Sequence, residues 1–276
     1  VLQLESSNIE LMVLHSLATP NDFRLELAEM FFENFRLQSL NFMNTAVSSL
    51  FSSGRTSGVT VEMGHSSTNI VPIYEGLVLK RAQSIGTYGG RDVSIFINSY
   101  LLDKEISLKS KGYEPFSMIE QIKSKIAYTA LNYEFTIEGI KELGIEESHF
   151  ELPDGTILEF DKNVKYSSGE MLLNPGKGYW TGFSNFNSLQ NPLHERIYDS
   201  LQRVEHEMSK RLSSNILIVG GSSLTSNLVN KLRVDYNKNL PDNLKEFKHQ
   251  LNLETNVPYS AWIGGSILGS ISTFQN

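Results

Sequence analysis

The feature that most constrains the fold is an alternation of short apolar runs with longer runs of helical periodicity. Ile9, Leu11 and Val13 alternate with other residues in a pattern typical of a strand, and TPND at 19–22 supplies a turn before the helical run 22–35. The same succession recurs along the chain. Strands and helices that alternate in this way predict an α/β architecture.

Further elements follow from the same periodicities. Helical patterns predict a second helix over 39–51 that stops at Gly54, a helix over 89–102, and another over 116–131 with Leu131 on its apolar face. They also predict a helix from about Thr225 to Tyr236 and an apolar helix over 258–274. NILIVGG at 215–221 is a buried-strand pattern that ends in paired glycines, and turn residues inside 150–160 predict a hairpin.

The stretch VEMGHSSTNIVPIYEG at 61–76 places a carboxylate and a glycine at a bend between two extended runs. It predicts a strand, a tight turn and a second strand. Main-chain N–H groups in such a turn can cradle phosphate oxygens, and a nearby acid can hold a metal ion. An ordinary hairpin with hydroxyl residues in its loop explains the same residues. The candidates here are Glu62, Gly64, His65, Ser66, Ser67 and Thr68.

Composition excludes several classes of protein. With 276 residues, 40% of them hydrophobic, the chain is long enough for a large core or two lobes. A net charge of −7 with interspersed signs gives no basic patch, so we expect neither direct nucleic-acid binding nor a membrane partner. The lack of cysteine excludes disulfides and thiolate metal sites and favours an intracellular protein. The first residue is not Met, which suggests part of a longer protein.

An aromatic loop at 174–190 has neither helical nor strand period. Tyr179, Trp180, Phe183 and Phe186 lie there among Gly, Ser and Asn. Aromatic side chains on a loop can anchor a partner protein, or they can fold back onto the protein's own core. Both interpretations are open.

Several motifs together resemble the actin family. They are SSGRTSG at 52–58, IVPIYEG at 70–76, GGRD at 89–92, IKSKIAYTAL at 122–131, ELPDG at 151–155, IVGGSSL at 218–224 and YSAWIGGSILGSISTFQ at 259–275. The last is the most specific, because it is long. The motifs occur in order over nearly the whole chain, and their drift elsewhere favours a divergent actin-related or actin-like protein.

The resemblance implies an actin-like ATPase fold, with two lobes built on related ribonuclease H-like sheets that close on ATP or ADP and Mg²⁺ or Ca²⁺. Residues 1–52 would belong to the small lobe, to which 260–276 return. Residues 53–259 would form the large lobe, including an inserted outer subdomain at about 90–178. The opening portion of the family, with its first phosphate loop, would lie outside this sequence.

In that family the turn at 61–76 is similar to the second phosphate loop, yet it departs at positions that matter for chemistry. Family members carry Asp at Glu62, Asp-Gly at His65-Ser66, His at Asn69, and a water-orienting Gln at Thr45. In-line phosphoryl transfer depends on a positioned water, so the resemblance implies slow hydrolysis. Glu62 is the candidate catalytic and metal-holding residue, the latter through a water molecule. His65 is either a phosphate donor or a solvated loop histidine.

The adenosine side resembles the family more closely. The implied nucleotide-binding residues are Gly64, His65, Ser66, Ser67, Gly90, Lys123, Gly220, Gly221 and Leu224, although simple turn geometry also explains the glycines. Three other positions depart from the family. Ser124 replaces a glutamate expected to bond the ribose, Thr225 replaces an aromatic residue, and Pro258 replaces a lysine. These losses imply weaker binding as well.

Two surfaces suggest other actin-family or actin-binding proteins as partners. The cleft residues Phe51, Ile267, Leu268 and Ile271 match positions that accept amphipathic helices in the family, and Tyr179, Trp180 and Phe183 match a filament-contact loop.

The leading hypothesis is a nucleotide-binding actin-like scaffold subunit, cytoskeletal or part of a complex, with weak or absent hydrolysis. A divergent filament-forming cytoskeletal ATPase and a small-molecule kinase of the same fold are the alternatives. A cytoplasmic location is favoured and a nuclear one is open.

Overall fold

The computed structural model describes residues 9–143, 148–176, 190–254 and 257–271. The strands are β1 Glu10–His15, β2 Ser39–Asn44, β3 Gly58–Met63, β4 Thr68–Tyr74, β5 Leu77–Val78, β6 Ser84–Gly86, β7 Ser148–Glu151, β8 Ile157–Phe160, β9 Ile216–Val219 and β10 Leu251–Leu253. The helices are α1 Asn21–Glu33, α2 Thr45–Ser52, α3 Gly90–Asp103, α4 Pro115–Ile126, α5 Tyr133–Leu143, α6 Lys162–Leu173, α7 Leu193–Gln202, α8 His206–Ser213, α9 Leu228–Lys238 and α10 Ser260–Gly269. Short 3₁₀ helices span Gly221–Leu224 and Asp242–Leu244.

A mixed six-stranded sheet forms the centre of the fold. Its order is β10-β9-β3-β4-β5, and β6 also pairs with β4. β3 is parallel to β9 and antiparallel to β4, so the predicted strand, turn and strand are confirmed. Alternate side chains of a strand face opposite sides of a sheet. Ile216 and Ile218 accordingly enter the larger core cluster, whereas Leu217 and Val219 enter a smaller one.

A second sheet has two strands, and one of them occupies residues that were predicted to be helical. β1 and β2 pair in parallel, with α1 as their crossover. The helix predicted over 39–51 is therefore wrong in its first half, because residues 39–44 are a strand and the helix begins at Thr45. The side chain of Asn44 caps this helix by accepting a hydrogen bond from the Ala46 N–H at 2.9 Å.

The last helix, α10, packs against α2 and contacts β1. This approach requires glycine at position 264, because a Cβ there would lie 1.7 Å from the Ser48 carbonyl oxygen of α2. The Ser48 hydroxyl also donates to the Ala261 carbonyl oxygen at 2.6 Å. The C-terminal helix is thus held to the segment that precedes β3.

The remaining predicted elements compare as follows. The hairpin over 150–160 is confirmed by the antiparallel pair β7 and β8, and the buried strand at 215–221 by β9. The helix predicted over 116–131 ends at Ile126, where Ala127 turns extended, and Leu131 is 51% exposed rather than apolar-facing. None of the helices in the described ranges has the length and apolar character needed to cross a bilayer.

Candidate functional site

The turn between β3 and β4 is hydrogen-bonded to two other segments. The His65 carbonyl oxygen accepts from the Arg91 N–H at 2.7 Å, and the Gly64 carbonyl oxygen joins both segments. The Gly64 carbonyl oxygen accepts hydrogen bonds from the Gly90 N–H at 3.0 Å and from the Ser222 hydroxyl at 2.8 Å. Gly89 permits this contact, because a Cβ there would lie 2.6 Å from the Gly64 oxygen. The turn, the start of α3 and the 3₁₀ helix therefore form one connected surface.

The tip of this turn leaves donors free. Within the described residues, the main-chain N–H groups of His65 and Ser66 make no hydrogen bond, while the Gly64 N–H donates to the Ser67 carbonyl oxygen at 2.9 Å. Unpaired N–H groups in a tight turn suit an oxyanion. This geometry fits phosphate oxygens.

Two cavities adjoin this surface, and His65 lines both. The first, of about 380 Å³, is lined by His65, Gly90, Val93, Glu120, Lys123, Ser124, Leu172, Gly221, Ser222, Leu224 and Thr225. The second, of about 330 Å³, is lined by Ser16, Thr45, Ser49, Glu62, Gly64, His65, Ser67, Asn69, Val219, Gly220, Val257, Pro258, Ser260 and Ala261. Every site residue predicted in the sequence for nucleotide or metal, except Ser66 and Thr68, lines one of the two.

In the first cavity the Lys123 ammonium group is fully engaged. It donates to the Gly90 carbonyl oxygen at 3.1 Å and to the Ser94 hydroxyl at 2.9 Å, and it pairs with a Glu120 oxygen at 2.6 Å. An ammonium group has three N–H donors, so these contacts use all of them. Lys123 thus acts as a tether between α4 and the start of α3.

Glu120 is ionised beside this lysine. Partial burial alone would raise the pKa of Glu120, but hydrogen bonds from Lys123 and Ser94 outweigh it and lower the pKa below its ordinary value. The Ser94 hydroxyl donates to one carboxylate oxygen at 2.6 Å. Sequence inspection missed Glu120, although it lies one helical turn before Ser124 and three residues before Lys123, on the same face of α4.

The second cavity brings the buried Glu62 carboxylate together with the side chains of Thr45 and Asn69. Asn69 lies directly across from Glu62 on β4, and its amide donates to the Ser67 hydroxyl at 3.2 Å. Burial raises the pKa of Glu62, and the Thr45 and Asn69 side chains only partly oppose the rise. Asn69 is 1% exposed, and its Oδ1 has no hydrogen-bond partner among the described residues.

The glycine pair after β9 serves two different purposes. Gly220 has a φ of +93°, and a Cβ there would lie 2.4 Å from the Met63 carbonyl oxygen, so this position requires glycine. A Cβ at Gly221 would meet no atom within 4 Å, so packing does not require glycine at this position. Gly221 lines the first cavity together with the exposed side chain of Leu224.

A buried arginine that no sequence motif indicated, Arg196, holds the strand that follows the turn. Arg196, on α7, donates to the Thr68 carbonyl oxygen at 2.9 Å, to the Tyr88 hydroxyl at 3.0 Å and to the Ser84 hydroxyl at 3.1 Å. Gly86 leaves room for it, because a Cβ there would lie 2.6 Å from the guanidinium. Arg196 joins β4, β6 and the segment before α3.

The predicted partner surfaces stand apart from these cavities. Ile267 and Ile271 are exposed, and Phe51 and Leu268 are half-buried. Tyr179, Trp180 and Phe183 lie outside the described residues.

Chemically, the site offers hydroxyls, turn N–H groups and glycine-lined space, which fit a phosphorylated nucleoside. It fits a divalent cation less well, because Glu62 is the one carboxylate in the second cavity's lining. No group of three or more His, Asp or Glu side chains able to hold a metal ion occurs within the ranges that the structure describes.

The arrangement can be set beside known families. A family model described as Actin matches residues 1–276, which is the entire sequence. The mixed sheet with flanking helices is consistent with that fold. The chain belongs to the actin family.

Proposed function

We propose that this actin-like protein binds ATP or ADP across the two cavities, hydrolyses ATP weakly or not at all, and serves as a structural subunit among actin-family or actin-binding proteins. The observation that carries the proposal is that Thr45 and Asn69 line the second cavity beside the buried carboxylate of Glu62. These are the three positions where the chain departs from the family residues that hold the metal and orient water.

Nucleotide binding is supported by the geometry of both cavities. The nucleoside would occupy the first, between Gly90 and Gly221, and the phosphates would reach the N–H groups of His65 and Ser66 at the turn. The two lobes implied by the family would then meet at this turn, with 1–52 and 260–276 in one and 53–259 in the other. Lys123 would shape the nucleoside cavity without donating to the nucleotide, because its donors are already used.

Weak hydrolysis follows from the second cavity. Thr45 is shorter than the family's Gln, and Asn69 lacks the imidazole of the family's His, so neither reaches outward to orient a water as those residues would. Both side chains lie beside Glu62 instead, and the Asn69 amide donates to the Ser67 hydroxyl at 3.2 Å. If Mg²⁺ or Ca²⁺ binds with the nucleotide, it would neutralise phosphate charge, and Glu62 would hold one of its waters. Glu62 is poorly suited to this, since burial favours its neutral form.

The experiment measures bound nucleotide and its turnover separately. The protein is purified, denatured, and the released base and phosphates are identified, and phosphate release from loaded ATP is then followed in a single turnover. We expect bound ATP or ADP with phosphate release far slower than from ordinary actin. A protein that carries nothing contradicts binding, and one that hydrolyses ATP as fast as actin contradicts the assignment of Glu62, Thr45 and Asn69.

Restoring the family residues provides a sharper prediction. The double variant Thr45→Gln, Asn69→His should release phosphate at least about tenfold faster, since a single positioned donor is often worth two to three orders of magnitude in rate. Adding Glu62→Asp should increase the rate further. Unchanged phosphate release in variants that still bind ATP would show that the block lies elsewhere.

A second candidate is a divergent filament-forming ATPase. It is favoured by the position of His65, which lines both cavities and stands next to free turn donors. In this case Glu62 and His65 would supply the missing roles. ATP-dependent pelleting, with filaments visible by electron microscopy and lost in His65→Ala, distinguishes it from the scaffold.

The predicted cleft of Phe51, Ile267, Leu268 and Ile271 is proposed as the partner surface, and the loop with Tyr179, Trp180 and Phe183 as a second one. Ile267→Asp should abolish binding of amphipathic helices from actin-binding proteins while nucleotide binding is unchanged.

A further inference from the structure

The first cavity contains an acid that the family resemblance does not assign. Glu120 and Ser124 are four residues apart on α4, and side chains at this spacing lie on the same face of a helix. Both line the cavity. The resemblance places acidic residues at 65 and 124, and this chain has His65 and Ser124 there, so Glu120 is the one carboxylate in the lining.

The Glu120 carboxylate is held in a fixed orientation. One oxygen accepts from the Ser94 hydroxyl at 2.6 Å and the other pairs with the Lys123 ammonium at 2.6 Å. Each carboxylate oxygen has a second lone-pair direction, so the group can still accept two hydrogen bonds. Its side chain remains 33% exposed. Glu120 is therefore an oriented acceptor with free capacity beside the cavity.

We propose that Glu120 accepts hydrogen bonds from the vicinal hydroxyls of the ribose of a bound nucleotide, in place of the acids absent at positions 65 and 124. This inference rests on the proposed nucleotide binding and identifies the ligand class as ribonucleotides. An ionised acceptor attracts O–H donors and repels anions, so it suits the sugar rather than the phosphates. Acidic residues hold ribose hydroxyls in the same way in dinucleotide-binding folds.

The test compares ATP with 2′-deoxy-ATP and 3′-deoxy-ATP by titration calorimetry. We expect the protein to bind at least one deoxy analogue about tenfold more weakly than ATP, because a hydrogen bond to a charged group is lost. In Glu120→Gln the ratio of the affinity for ATP to that for the deoxy analogue should fall close to one. In the double variant Glu120→Gln, Ser124→Glu this ratio should rise again. Glu159→Gln is the matched control, since Glu159 is exposed on β8 and lines neither cavity.

The ratio separates recognition from mere support of the cavity. If Glu120 only positions Lys123, its loss weakens the binding of ATP and of the deoxy analogues equally. The ratio of their affinities is then unchanged, which overturns the inference. Equal affinities of the unaltered protein for all three nucleotides also overturn it and leave nucleotide binding intact. Absence of any binding removes both proposals. If Glu120→Gln fails to fold, Glu120→Asp keeps the charge with a shorter reach and should likewise lower the ratio.

Discussion

At the scale of single residues, a glutamate in the first cavity and a glutamate in the second have pKa values shifted in opposite directions. Glu120 is kept ionised by a lysine and a serine, whereas burial favours the neutral form of Glu62. Lys123 lines the first cavity, but its ammonium is already satisfied by three internal partners. A residue's identity in a motif therefore does not determine which of its atoms are available to a ligand.

The lowered pKa of Glu120 predicts a pH-dependent contribution to stability. A carboxyl group whose folded pKa is depressed stabilises the fold above its unfolded pKa and loses that effect as the pH falls through the folded value. We expect Glu120→Gln to lower the free energy of unfolding by about 1 kcal/mol at pH 7. The difference should shrink as the pH falls below the ordinary value of 4.5. Urea unfolding at pH 7, 5 and 4 measures it, and a difference independent of pH would contradict the ionised state.

At the scale of elements, the contact between α10 and α2 depends on one missing side chain. Gly264→Ala places a Cβ 1.7 Å from the Ser48 carbonyl oxygen, and backbone cannot yield as a flexible side chain does. We expect a loss of about 3 kcal/mol or more in the free energy of unfolding.

Gly269→Ala is the matched control for that substitution. Gly269 ends the same helix, and a Cβ there would meet no atom within 4 Å. This variant should be neutral or up to about 1 kcal/mol more stable, because alanine favours the helix. Chemical denaturation measures the free energy of unfolding of both variants. Equal changes in the two would mean that α10 and α2 do not pack as closely as described.

At the scale of the whole molecule, burial is uneven. The central sheet has a core cluster on each face, while α1 has no buried residue. Phe23 is 50% exposed and Phe35 is 49% exposed. Exposed aromatic groups of this kind favour association and dye binding.

We therefore expect Phe23→Ser, Phe35→Ser to reduce both the fluorescence of a hydrophobic dye and self-association measured by light scattering. The free energy of unfolding should change by less than about 0.5 kcal/mol, as for other surface positions. Leu77→Ser, which removes an exposed side chain on β5, should leave dye binding nearly unchanged. An equal fall in the control would show that the α1 region has no special role.

The fold was predictable wherever a short pattern decided between helix and strand. β3, β4 and β9 have such patterns and were identified, whereas residues 39–44 were assigned to a helix because the true helix follows without a break. The capping Asn44 was the available signal. Motifs that resemble a family pointed to Gly90 and Gly221, and both line the first cavity. No motif pointed to Glu120 or Arg196, whose contacts include neighbours 26 to 128 residues away.

Two hydrogen bonds that end on the Gly64 carbonyl oxygen couple the turn to two other segments. A ligand that draws the turn toward itself would pull on the hydrogen bonds from Gly90 and Ser222 together, since both end on the same oxygen. The turn, the start of α3 and the 3₁₀ helix would then move together, so a ligand that contacts one cavity would change the geometry of the other. Occupancy of the nucleoside side would in this way preset the geometry offered to a phosphate chain.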